Sequence, residues 1–313
     1  MVSIMEWSRD PLSGEIVEVV RNSDLKKGKL TRGKVRDVYD LGDELLLYHT
    51  DRVSAFDVVL PTLIPRKGTS LAKLSLFWMN ESKKIFPNHL IEAVDGRTLR
   101  VKKAKRIDIE WVVRKYLYGS LWRDYSKGRR EMYGLRFPEG MKLAEELPEP
   151  VITPTTKEDV GHDMEISKAE AISLGKVDRE TWDELEEATL KLFEFYEGVA
   201  KRRGIIIPDF KIEFGVVGGE LIQIDEPPTH DSARMWSIRH YAQGEQQEKH
   251  CLDKEFLREC LRKLGFSGDG SPPPLPDSVV REVVKRCVGA YEVIAEGKKI
   301  EELMLSSVDD IFK

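Results

Sequence analysis

The chain has 313 residues, 41% hydrophobic and 34% charged, and its 50 basic and 55 acidic side chains leave a net charge of −5. That length points to two domains or one large domain with appendages, and the composition is that of a globular protein richer in charge than usual. The mildly acidic balance gives no general drive toward nucleic acid or an anionic membrane, and with neither a signal-peptide core nor a bilayer-length apolar run the protein is expected in the cytoplasm.

In chain order, GKVRDVYDLG (33–42), a turn at Gly42-Asp43 and ELLLYHT (44–50) predict a hairpin, and LIEAVDGRTLRVKKA (90–104) predicts a second extended pair turning at Asp95-Gly96. Between them, Thr69 is expected to cap a helix whose Leu71, Leu74, Phe77, Trp78 and Ile85 form an apolar stripe. IEWVVRKYLYGSLWRDY (109–125) begins as a strand and changes to helical spacing at Gly119. Residues 134–165, with Pro138, Pro148, Pro150 and Pro154, read as a long loop of the kind that carries function. Asp178 opens a helix with Trp182, Leu185, Leu192, Phe193, Tyr196 and Val199 on one side and Gly204 as its stop. Near the C-terminus, GDGSPPPLPD (268–277) is a stiff connector between two amphipathic helices, which are expected to pack on the rest of the chain.

Cys251, Cys260 and Cys287 are too few and too scattered for a metal knuckle or a disulfide framework, and the six histidines include no pair one helical turn apart, so zinc is not expected.

The densest chemistry lies between Gly204 and Trp236. In an extended segment, Asp209, Lys211 and Glu213 share one face while Phe210, Ile212 and Phe214 share the other. Charges that follow the apolar run Ile205 to Ile207 need partners, which a substrate or metal would supply. Gly218-Gly219 then signals a hairpin returning through Glu220 to the acidic pair Asp225 and Glu226. A two-residue loop would pair Glu213 with Ile224 and leave Asp225 on the wrong face. We therefore expect a three-residue loop or a bulge that sets Glu213 opposite Asp225, where the two carboxylates could hold Mg2+ against phosphate oxygens.

Other segments offer anion sites. In TRGKVRDVYD (31–40), Gly33 permits close backbone approach to a polyphosphate and Lys34 supplies a point charge, although the P-loop spacing is absent. TDRVSAFD (50–57) places Asp51, Arg52, Ser54 and Asp57 after a strand, where either a binding loop or an internal Asp–Arg pair with a helix cap would explain them. Arg114, Gly119 and Ser120 could bind phosphate through a guanidinium, backbone N–H groups and a hydroxyl, and Asp231, Ser232 and Arg234 could form a second such anchor.

In this order, GKVRDVY, TDRVSAFD, IPRKGTSLAKLSLFW, EWVVRKYLYGS, EPVITPTTKEDVGHDMEIS, GIIIPDFKIEFG and IDEPPTHDSARMW resemble the phosphoribosylaminoimidazole-succinocarboxamide synthase (SAICAR synthetase) family. The GHDMEIS loop and the long C-terminal tail look more like the longer, fungal-type members. The resemblance implies an α+β fold in which an N-terminal antiparallel sheet lobe (1–108) and a second α/β lobe (109–247) hold ATP in the cleft between them, with a C-terminal helical segment (248–313) packed on the body. It implies an ATP-dependent ligase with Mg2+ that joins L-aspartate to carboxyaminoimidazole ribonucleotide, with no nucleic-acid or membrane partner and with homo-oligomerisation left open.

Carried over residue by residue, Lys34 and Arg36 would cover the ATP phosphates, and Lys102 to Arg106, with Lys103 and Arg106, would pass the adenine as a hinge. Glu213 and Asp225 would bind Mg2+, and Arg114, Ser120 and Arg234 the ribonucleotide 5′-phosphate. Lys211 would contact the reacting carboxylate, with Asp209, Asp231 and Ser232 lining the same pocket. The aspartate site is expected at the TDRVSAFD loop, with Asp51 and Ser54, and the VGHDMEIS loop. The sequence departs from the family pattern at His230 and Ala233, whereas Asp231, Ser232 and Arg234 are retained. A small-molecule kinase would use similar parts but lacks its own HRD and DFG segments here; a non-enzymatic nucleotide-binding module would not need Lys211, Glu213 and Asp225 intact.

Overall fold

The computed structural model describes residues 4–157 and 164–313. The alternating N-terminal sequence folds as β1 (Ile4–Arg9) paired with β2 (Ile16–Asn22), followed by an antiparallel sheet of order β3-β4-β5-β9-β8. That sheet comprises β3 (Lys29–Arg32), β4 (Arg36–Asp40), β5 (Glu44–His49), β8 (Leu90–Ala93) and β9 (Thr98–Lys102), with Gly42 at φ 105° in the β4–β5 turn. A small hairpin, β6 (Ser54–Ala55) with β7 (Val58–Val59), leaves its end.

Helix α1 (Lys67–Ser82) begins earlier than its sequence predicts. The residue at its N-cap is Arg66, and Thr69 sits inside the first turn, where its hydroxyl donates to the Arg66 carbonyl at 2.9 Å. The early start is tied to Asp51, whose buried carboxylate accepts from the Gly68 N–H at 2.9 Å and the Val20 N–H at 2.8 Å and pairs with Arg97 at 2.9 Å. Only glycine fits at 68, since a Cβ there would lie 2.4 Å from the His49 carbonyl oxygen.

Lys103 and Ala104 lead from β9 into β10 (Lys105–Tyr116), the long central strand of a second sheet of order β13-β10-β16-β17, with β14 also on β10. Its other members are β13 (Glu146–Ile152), β14 (Thr155–Thr156), β16 (Asp209–Val217) and β17 (Glu220–Ile224). β13 and β14 fall within the stretch expected to be loop-rich, and Pro148 and Pro150 are accommodated because β13 lies at the edge, where no partner needs their missing N–H. Helix α2 (Gly119–Ser126) follows β10, and the hairpin β11 (Glu131–Met132) with β12 (Leu135–Arg136) precedes β13. After α3 (Lys168–Ser173), α4 (Arg179–Arg202) starts where expected, with the Asp178 carboxylate accepting from Thr181 N–H at 2.7 Å, and Gly204 at φ 80° ends it. A short pair, β15 (Ile205–Ile206) with β18 (Trp236–Ser237), flanks the β16–β17 hairpin.

The tail packs on the body as expected. Ala290 of α6 (Asp277–Tyr291), with Val293, Ile294, Ile300 and Leu303 beyond it, joins Trp111, Tyr196, Phe210 and Phe214 in the main core. Phe256, Leu257 and Cys260 of α5 (Glu255–Lys263) join Val53, Leu60 and Trp236 in a second cluster, which also takes Val308 of α7 (Val308–Ile311). Leu74 and Trp78 of α1 also belong to the main core, while its Leu76 packs on Leu47, Leu99 and Val101, so the helix inserted between β5 and β8 joins the two sheets. No helix among the described residues is long and apolar enough to cross a membrane.

Candidate active site

The alternation of β16 holds. Phe210, Ile212 and Phe214 are fully buried, while Asp209 and Lys211 line a cleft and the buried Glu213 meets Lys211 on the same face. The expected odd register does not occur: Val217 pairs with Glu220 and Glu213 with Ile224, across a plain Gly218-Gly219 turn. Asp225 nonetheless reaches the charged face, because its backbone leaves the strand in the left-handed region at φ 60°. One turned residue past the strand end does what a bulge within it was expected to do. Aspartate is among the residues that tolerate this conformation.

Lys211 Nζ then lies 2.5 Å from Glu213 Oε1, 2.8 Å from Glu110 Oε1 and 4.0 Å from Asp225 Oδ2. Glu110 stands directly across from Glu213 on β10, and Lys157 Nζ bridges the two at 2.5 and 3.1 Å. Burial alone would lower the Lys211 pKa, but Glu213, Asp225 and Glu110 outweigh it and push it up. Burial would raise Asp225, yet Arg36 and Lys211 hold it well below the carboxylate range. Arg36 hydrogen-bonds Asp225 directly and lies 3.8 Å from Glu226. Among the described residues no group of three or more His, Cys, Asp or Glu is set to enclose a metal. The oxygens of Glu213 and Asp225 suit an ion that takes one or two carboxylates and completes its shell with phosphate and water, as Mg2+ does.

On the other side of Lys211 lies a cavity of about 790 Å³ whose wall includes Arg114, Arg123, Arg234, Arg258 and Arg262. Arg114 donates to Ser120 Oγ at 3.0 Å and to Thr153 Oγ1 at 2.8 Å, and Arg234 pairs with Asp209 at 2.6 Å. Gly119, at φ 61°, lets these parts meet: a Cβ there would lie 2.7 Å from the Arg234 guanidinium. Ser232 also lines the cavity, but its hydroxyl donates to the Pro227 carbonyl at 2.6 Å and accepts from Thr229 N–H at 3.0 Å, holding the 226–232 turn. A second cavity of about 360 Å³ is walled by Gly33, Lys34, Arg36, Ser54, Asp57, Asp225 and Lys254. Phe56, Asp57, Lys211, Ser232 and Arg258 line both, so the two form one cleft with Lys211 at the junction.

The sequence model of the SAICAR synthetase family matches residues 29–273. The chain belongs to the SAICAR synthetase family. The phosphoribosylaminoimidazole-succinocarboxamide synthase of Thermodesulfovibrio yellowstonii is 41% identical over 292 residues, covering 88% of this chain and 98% of that protein. That of Maridesulfovibrio salexigens is 39% identical over 305 residues, covering 92% and 99%. Among solved structures, the SAICAR synthase of Saccharomyces cerevisiae complexed with SAICAR superposes with a TM-score of 0.79 at 35% identity, covering 89% of this chain and 98% of that one. A SAICAR synthetase from Pyrococcus horikoshii superposes at 0.65 and 25% identity.

Within the SAICAR synthetase fold, the predicted residues Lys34, Arg36, Ser54, Arg114, Ser120, Asp209, Lys211, Asp225, Asp231, Ser232 and Arg234 line the cleft, and Glu213, two residues beyond Lys211, lies behind it, in contact with Lys211 but on neither cavity wall. Three others do not. Asp51 is buried and occupied by Gly68, Val20 and Arg97, so it builds the loop without facing the cleft. Lys103 pairs with Asp40 at 2.7 Å, and Arg106 with Asp108 at 2.8 Å, outside both cavity walls. In the VGHDMEIS loop, Val160 to Asp163 lie outside the described residues, and Glu165 is engaged by Arg129 at 2.9 Å.

Sequence reasoning missed Glu110, Lys157, Lys254, Arg258 and Arg262. A lone glutamate inside the apolar run IEWVV was a signal, as was the polar stripe Glu255, Arg258, Glu259 and Arg262 opposite the apolar face of α5.

Proposed function

We propose that this cleft joins L-aspartate to the carboxylate of 5-amino-1-(5-phosphoribosyl)imidazole-4-carboxylate, with ATP converted to ADP and phosphate, and that the two anions meet at Lys211. The observation that carries this reading is the position of Lys211, shared by an arginine-walled cavity and a cavity bounded by Lys34, Arg36 and Asp225. A carboxylate is a poor electrophile. One of its oxygens must first accept the γ-phosphoryl group, with ADP leaving, before the amine nitrogen of aspartate attacks the carbonyl carbon and displaces phosphate with loss of a proton. Bringing two anions together is opposed by Coulomb repulsion, which the raised, fully protonated Lys211 offsets.

Arg114, Ser120 and Arg234 bind the 5′-phosphate, with Asp209 orienting both guanidinium groups from 3.6 and 2.6 Å. Lys34, on the far wall, approaches the ATP phosphates when it leaves Asp57, 2.5 Å away. Glu213 and Asp225 would hold Mg2+, which supplies charge neutralisation at the transferring phosphoryl group. Incubating the protein with ATP, Mg2+, the imidazole ribonucleotide and aspartate should yield ADP and the succinyl adduct in equal amounts. ADP release that ignores aspartate would instead indicate a kinase, and no turnover would indicate a binding module.

A further inference from the structure

Asp231 lies between two lysines. Lys67 Nζ, from the first residue of α1, is 3.0 Å from its Oδ1, and Lys254 Nζ, at the N-cap of α5, is 2.9 Å from its Oδ2. Two ammonium groups thus share one carboxylate, one on each of its oxygens. Asp253 and His230 line the same small internal cavity. Asp253 accepts from the Met235 and Glu255 N–H groups, each at 2.7 Å, and burial keeps His230 neutral by pushing its pKa down to about 3. A buried carboxylate gripped on both oxygens holds both ammonium groups in place, and each ammonium keeps further N–H donors for another acceptor.

Only one of the two lysines reaches the cleft. Lys67 is 1% exposed with its Nζ on Asp231, whereas Lys254 is 15% exposed and lines the smaller cavity beside Lys34, Arg36 and Lys211. Lys254 Nζ also donates to Ser54 Oγ at 3.4 Å, which fixes it on that wall.

We propose that Lys254 is a further substrate-binding residue, contacting a phosphoryl oxygen of ATP, and that Lys67 is a positioning residue that pins Asp231 and, through it, Lys254. This rests on the reading of the cleft given above, but its test needs no turnover. Binding of Mg2+ with the non-hydrolysable analogue AMP-PNP to the full chain, followed by calorimetry, should weaken at least about tenfold in Lys254→Met, or about 1.4 kcal/mol. Lys254→Arg should stay within about threefold of wild type. Lys67→Met, which cannot reach the nucleotide, should weaken binding in the same direction, and Lys67→Arg should restore it.

In steady state, Lys254→Met should raise KM for ATP more than KM for the imidazole ribonucleotide. Unchanged AMP-PNP affinity in Lys254→Met overturns the proposal, as does a KM increase confined to the ribonucleotide. A wild-type protein that binds AMP-PNP through Lys254 yet makes no succinyl adduct would sink the ligase reading and leave this one standing.

Discussion

At Asp225 a single backbone angle decides whether the site exists. In the observed register an extended Asp225 would point away from Lys211, and φ 60° returns it to within 4.0 Å. Glu213, by contrast, is placed by strand alternation alone, and its carboxylate is held by Lys211 and Lys157. Glu213→Gln keeps the shape and removes the charge. Turnover should therefore fall about 100-fold with the thermal midpoint little changed, since a group acting on transition-state charge contributes about 3 kcal/mol. Unchanged Mg2+-dependent turnover would remove Glu213 from the metal site. Gly119→Ala tests the other half of the cleft. A side chain at φ 61° costs about 1–2 kcal/mol and here also displaces the Arg234 guanidinium. KM for the ribonucleotide should rise more than KM for ATP; equal rises would show that Arg234 does not hold the 5′-phosphate.

Among the elements, β10 and β16 do most to assemble the site. Their antiparallel pairing puts Glu110 across from Glu213 and Arg114 across from Asp209, so two stretches about a hundred residues apart build one charged surface. This is why Glu110 escaped a local reading: its role comes from a strand partner that no short window of sequence contains. The link from β9 into β10 packs on the same hairpin, where a Cβ at Gly215 would meet Ala104 Cβ at 2.7 Å and the Lys105 carbonyl oxygen at 3.0 Å. Backbone cannot swing aside as a side chain can. Gly215→Val should destabilise the protein by about 2–3 kcal/mol through overpacking, measured by denaturant midpoint. A neutral result would mean that the link yields freely. Helix α5 shows the opposite kind of legibility. Its apolar face was plain in the sequence, but that the polar face closes the cleft followed only once Phe256 and Leu257 were seen packed beside Val53 and Trp236.

For the whole molecule, burial sets the response to pH. Desolvation pushes His49 and His230 down to about 3 and His89 to about 4, so the folded protein keeps all three neutral. The unfolded chain protonates them near pH 6.5. Their stabilisation is therefore complete above that value and is lost on acidification, at up to about 1.4 kcal/mol per pH unit for each. Asp253, raised to about 6 by burial, works in the opposite sense, as does Glu226, whose pKa is also raised. These acids favour the folded state at low pH and lose that contribution as pH rises through their folded pKa. His230→Asn isolates one histidine: compared with wild type, its unfolding free energy should improve by up to about 1.4 kcal/mol for each pH unit below 6.5. A pH-independent difference between the two would show that His230 is solvated.

The sequence by itself determined the periodicities, and with them the β4–β5, β8–β9 and β16–β17 hairpins, the strand character of β10, the bounds of α4, the charged face of β16 and the family blocks. These are properties of neighbouring residues and of chain-order spacing, which need no tertiary contact to be read. Tertiary structure decided which charges meet. It assigned Asp51 to a buried structural knot, brought Glu110 and Lys157 beside Glu213, set Lys67 and Lys254 on either side of Asp231, and turned Asp225 into the cleft. The physical reason is that an ionised side chain is neutralised by whatever opposite charge lies within a few ångströms, and at these sites that partner comes from a distant part of the chain.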